Sequence, residues 1–178
     1  SGLVEEILDL SSRRNNCRGV SIQTNGTLLY EESILMLKKY RVAVGISLDG
    51  KPEVNEALRG ETRRAVEGIR RLGEHRLAAN LTCVVTAFNA EKLGDIVDMA
   101  VYLGNIRGIG LDLLRKAGRA AAAPGPGGLK VGTAGGRQLL TGLDGLYRRV
   151  SAVNRVLPPG RRIVIREFAK AERQWKRE

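Results

Sequence analysis

The chain has 178 residues, 43% of them hydrophobic, which is enough for one domain with a substantial core. No apolar run reaches the roughly 20 residues that span a bilayer, and the first residues lack the pattern of a signal peptide, so neither a membrane span nor a secretory leader is expected. A net charge of +11 suggests nucleic acid or an anionic partner, but its basic pairs are scattered from Arg13-Arg14 to Arg161-Arg162 and only 4% of residues are aromatic, which leaves few platforms for base stacking.

The first predicted element is an amphipathic helix, with Leu3, Val4, Ile7, Leu8 and Leu10 at helical spacing and Arg13-Arg14 at its end. "GVSIQT" reads as a short strand, followed by the turn formers of "TNGT". An Asn-Gly hairpin would need a second strand here, but "LLYEESILMLKKY" is instead a helix with acidic residues first and lysines last. The unit then repeats. "RVAVGISLDG" is a strand; Ala65, Val66, Ile69 and Leu72 form a helix face that Gly73 is placed to stop. "LAANLTCVVTAFN" is the next strand, and Asn89 is placed to cap a helix carrying Leu93, Ile96, Val97, Ala100 and Val101, which Gly104 closes. "IRGIGLDLL" is the fourth strand. The strands read as almost uniformly apolar, as if buried on both faces.

Strand and helix in alternation predict a parallel βα architecture, in which the strand-to-helix turns share the edge that carries ligands. The polar cluster at residues 24–27 has counterparts at 47–50, at 86–89 and around Asp112. Four polar tips would therefore meet at one mouth. Beyond it the regularity breaks. The expected organisation is a βα region over 1–115, a Gly/Pro-rich loop over 116–136, and a segment over 137–178 with a helix, a last strand at "RRIVIREF" and a polar tail or helix start. The loop matches neither a phosphate-binding nor a dinucleotide glycine pattern. Cys17 and Cys83 are the only cysteines and His75 the only histidine. They are too few for a zinc site or a protein-ligated iron–sulfur cluster, and isolated thiols suit the cytoplasm.

At "SIQTNGTLL", "VGISLDGKPEVNEALRG", "VVTAFNAEKLGDIVDMAVYLG" and "GIGLDLLRKAGRA" the chain resembles the radical SAM superfamily. It is most similar to the branch of sulfatase-maturating enzymes and peptide maturases with a C-terminal cysteine-rich (SPASM) extension. The resemblance covers about residues 1–120, the middle portion of the barrel. It implies a partial TIM-like βα barrel that holds S-adenosylmethionine and a [4Fe-4S] cluster at the strand ends. There the cluster cleaves the cofactor to a radical that takes hydrogen from a peptide or protein substrate. It also implies that Ser47 and Arg59, the latter in the loop after its strand, hold the cofactor's methionine carboxylate, with Thr24 and Asn25 lining the same mouth.

The sequence departs from the family pattern. It has no CxxxCxxC motif and no Gly-Gly-Glu-Pro motif, Asn55 stands in place of a usual histidine, and Lys116 in place of a usual proline. The expectation is thus a fragment or truncated relative of such a maturase, inactive alone and binding neither cofactor well. The alternative is a non-catalytic βα domain that binds RNA or an acidic partner through its basic surface.

Overall fold

The computed structural model describes residues 2–114 and 135–176. Five strands form one sheet, β1 (Ser21–Thr24), β2 (Ala43–Ser47), β3 (Ala79–Val85), β4 (Ile106–Leu113) and β5 (Val164–Ile165). All are parallel and lie in chain order. Parallel neighbours need crossovers, and helices supply them. α1 (Gly2–Ser12) precedes β1, α2 (Glu31–Lys39) joins β1 to β2, and α3 (Pro52–Arg59) with α4 (Thr62–Glu74) joins β2 to β3. A 3-10 turn (Ala90–Lys92) and α5 (Asp95–Leu103) lead to β4; α6 (Gly136–Val156) lies before β5, and α7 (Arg166–Trp175) follows it. The expected parallel βα fold is therefore present. Of the Gly/Pro-rich loop expected at 116–136, residues up to 134, with Lys116, lie outside the described residues; α6 begins at Gly136.

The strands are not buried on both faces, as their sequences suggested. Side chains of a strand alternate between faces, and here one face holds Val44, Ile46, Leu81, Cys83, Val85 and Ile109. These pack into a single core with Ile34 and Leu37 of α2, Ile69 and Leu72 of α4, Ile96 and Val97 of α5, and Leu146 and Val150 of α6. Each such Leu or Ile contributes about 2 kcal/mol by leaving water. The other face is more open and polar: Ser21, Gln23 and Asn80 are exposed, and Gly45 and Thr82 half-buried.

Three local expectations are corrected. Gly73 does not stop α4, which runs on to Glu74; Arg76, with φ 59°, turns the chain instead. Gly73 lies where an added Cβ would come within 3.3 Å of the Asn105 side chain, so it serves packing. Asn89 makes no cap bond to a helix, and α5 starts later, at Asp95. Arg59 does not sit in a loop but ends α3, a helix with Pro52 in its first turn, where proline's missing N–H costs nothing. Gly104 does close α5, with φ 76° and its N–H on the Ala100 carbonyl.

Candidate functional site

At the tip of β1 the polar side chains fold onto their own turn. The Thr24 hydroxyl accepts from the Gly26 N–H at 3.1 Å, and Asn25 Oδ1 accepts from the Thr27 N–H at 3.2 Å and from its hydroxyl at 3.0 Å. These are the local bonds that make Thr and Asn turn residues. Gly26 takes φ +80° there, and its carbonyl lies 2.1 Å from where a Cβ on Gly68 of α4 would be. The turn is thus clamped to the helix, with Asn25 left exposed at the carboxyl edge of the sheet.

Ser47 ends β2 on the open face. Gln23 Nε2 donates to its hydroxyl at 3.2 Å, and the Thr82 hydroxyl donates to Gln23 Oε1 at 3.3 Å. One glutamine so ties three strands together. Two residues past Ser47, Asp49 is 4% exposed. Its carboxylate accepts from Arg59 Nε at 2.6 Å, from Arg59 Nη2 at 3.0 Å and from the Val84 N–H at 2.8 Å. A fork on a carboxylate fixes a guanidinium strongly. Arg59 is thereby held at the β2–β3 end of the carboxyl edge, the same edge as Ser47, with one terminal nitrogen outside the pair. Its side chain keeps 26% exposure.

Beneath this pair runs a buried polar network that the sequence did not disclose. Asn55 accepts from the Asp49 N–H at 3.0 Å and donates to the Thr62 hydroxyl at 2.9 Å. Asn89 donates to the carbonyls of Asp49 at 2.9 Å and Val84 at 3.0 Å, and accepts from the Thr86 N–H at 2.8 Å. So residues 86–89, expected at the mouth, turn Thr86 and Asn89 inward to brace the β2 tip against β3. Asp112, the fourth expected tip, is exposed near the end of β4 and pairs with Arg166 at 3.1 Å.

The open face also carries a concave cavity of about 370 Å³ lined by Gln23, Asn80, Thr82 and Arg166 among others, with Ser47 and Arg59 outside its lining. Three strand glycines make room for it: an added Cβ would meet Gln23 Oε1 at 2.2 Å over Gly45, Asn80 Oδ1 at 2.6 Å over Gly108, and the Arg166 guanidinium carbon at 2.6 Å over Gly110.

The donor set suits one implied cofactor and not the other. A hydroxyl and a fixed guanidinium suit the carboxylate of S-adenosylmethionine. An iron–sulfur cluster needs thiolates. Cys83 is buried, and burial pushes its thiol up, away from the thiolate; Cys17 is exposed in the segment before β1. Among the described residues no three Cys, His, Asp or Glu side chains group to hold a metal ion. The residues present do not fit a cluster. Nor is any helix of the described residues long and apolar enough to cross a membrane.

No family model matches the chain. It is 35% identical over 83 residues to a serine-type anaerobic sulfatase-maturating enzyme of Bacteroides thetaiotaomicron, covering 43% of this chain and 19% of that protein. It is 31% identical over 105 residues to the antilisterial bacteriocin subtilosin biosynthesis protein AlbA of Bacillus subtilis, covering 56% and 23%. An uncharacterized protein of Methanocaldococcus jannaschii is 32% identical over 121 residues, 64% of this chain and 42% of that one. The chain thus spans less than half the length of each of these relatives. Among solved structures, anSMEcpe with bound AdoMet superposes with a TM-score of 0.69 at 19% identity, over 94% of this chain and 46% of that one. The same protein with AdoMet and the Cp18Cys peptide gives 0.70, also at 19% identity, over the same shares. The fold is shared, and the resemblance to the sulfatase-maturating and peptide-maturase branch of the radical SAM superfamily stands.

Proposed function

We propose that this chain is the βα core of a radical SAM maturase, which in a longer polypeptide uses S-adenosylmethionine to modify a peptide or protein. The observation that carries the reading is the Asp49–Arg59 fork, which holds a guanidinium on the same sheet edge as the Ser47 hydroxyl. Arg59 would offer its remaining terminal nitrogen to the cofactor's carboxylate, and Ser47 its proton. Asn25 and Thr24 would border the same mouth. The bound cofactor would supply the one-electron chemistry, and the peptide would approach along the concave face. Since the residues present do not fit a [4Fe-4S] cluster, this chain alone would be inactive. The longer polypeptide, with its cysteine ligands, is supported by the large apolar side chains that α1 leaves exposed, Leu3, Ile7 and Leu10, and by the partial span of the relatives.

The test is titration of S-adenosylmethionine into the isolated chain, followed by amide NMR shifts. The expected result is weak binding, about millimolar, with shifts clustered at residues 47–49 and 59–60. Ser47→Ala and Arg59→Ala should each weaken it at least tenfold, about 1.4 kcal/mol. Shifts confined to other edges of the sheet, or variants that bind as well as the parent, would remove the reading.

A further inference from the structure

The opposite, amino-terminal edge of the sheet carries a basin of about 740 Å³ whose lining includes Arg70, Arg76, Arg107 and Arg161, with Glu74 as its one carboxylate. None of these arginines forms an ion pair among the described residues. Arg107 lines both this basin and the open-face cavity, and it stands at a break in strand register: Ala79 of β3 faces Ile106 and Asn80 faces Gly108, so Arg107 is the extra residue of a bulge. Bulges redirect side chains. Its Nη1 is then tied to the carbonyls of Gly104 at 3.1 Å and Ile106 at 2.9 Å. A second observation lies in the same wall. Asn105 is 8% exposed and donates to the carbonyls of Ile69 at 2.9 Å and Leu77 at 3.2 Å, yet its Oδ1 has no donor. That assignment is fixed by chemistry, since two carbonyls must face the NH₂ group. A buried acceptor without a donor is rare in native proteins.

We infer that this basin docks an acidic segment of a partner protein. Guanidinium forks match side-chain carboxylates, and the basin sets four arginines against one glutamate. The basin lies at the other end of the strands from Ser47 and Arg59, so docking there leaves the cofactor edge free. The inference does not rest on the function proposed above.

The experiment measures fluorescence anisotropy of a labelled twelve-residue Asp/Glu-rich peptide against the full chain at low salt. The double variant Arg76→Glu/Arg161→Glu changes two exposed side chains, and circular dichroism checks its fold. Its affinity should fall at least tenfold, while Arg148→Glu, on α6, should stay within threefold of the parent. An equal loss in both variants would mean net charge alone and overturn the docking site, as would no peptide binding at all. A twelve-nucleotide RNA bound more tightly than the peptide, and lost in the double variant, would overturn the choice of a protein partner. Hydrogen exchange on the parent chain gives a readout free of mutation. The peptide should slow exchange at residues 76–78 and 104–107, and protection confined elsewhere would count against the basin.

Discussion

Asp49 fixes Arg59 and one strand amide at once, so its removal should be felt twice. Breaking a fully buried ion pair by deleting one partner costs about 3–5 kcal/mol. Arg59 keeps contact with water, so Asp49→Ala should cost less, about 2 kcal/mol, read as a lower urea midpoint. Asp49→Asn should recover part of this, because it can still accept from the Val84 N–H. Cys83 gives a second prediction at this scale. Burial comes first among the causes that raise its pKa, and the nearby Asp49 charge adds to it. The folded thiol therefore keeps its proton at pH values where the unfolded one, near 8.5, has lost it. For a raised folded pKa, stability is full below the unfolded value and declines as pH rises above it. Between pH 8.5 and 9.5 the parent should lose about 1 kcal/mol relative to Cys83→Ala. A difference between the two that does not change over this range would contradict the burial seen here. Cys17, being exposed, should react with a thiol reagent in the native state while Cys83 waits for unfolding.

Helix α6 meets the body of the protein through a glycine. A Cβ on Gly142 would stand 1.7 Å from the Ala90 carbonyl oxygen, whereas one on Gly145 would meet nothing within 4 Å. Alanine improves a helix by about 1 kcal/mol over glycine, and overpacking against backbone costs about 1–3 kcal/mol. Gly145→Ala should therefore raise the thermal midpoint and Gly142→Ala lower it; both moving the same way would refute this account of the contact. Elements of this size were legible in the sequence. Helix faces such as Ala65, Ile69 and Leu72 follow from periodicity, and the four main strands from short apolar runs that end in turn formers. The two-faced character of the strands was not, because Gly45, Gly108 and Gly110 stand on the open face and read as apolar letters. Helix α3 was missed because it is short and opens on Pro52. Asn55 and Asn89 look like turn formers, and the bonds that define Asn89 reach 40 residues back to Asp49. Contacts of that span have no local signature. Ser47 and Arg59 were named from a resemblance, but the partner that holds Arg59 was not.

Across the whole molecule the charge and the thiols set two expectations. Anaerobic reconstitution with iron and sulfide should leave this chain without a stoichiometric cluster absorbing near 400 nm, since two thiols, one of them buried, cannot supply the ligands. A stable cluster would overturn the reading that the metal chemistry needs further sequence. Nucleic acid should bind only through the +11 charge, so any association should fade as salt rises through about 0.2 M. The three glycines of the open face also bear on how such a molecule changes over time. What a methyl group would strike there is the free end of a side chain, Gln23, Asn80 or Arg166, and not the backbone that Gly142 meets. A single-step change to alanine would swing one polar group aside and leave the sheet standing. The lining of the cavity can therefore drift between chemistries without passing through an unfolded ancestor, so a lineage could acquire a new preference before it had to repair its scaffold.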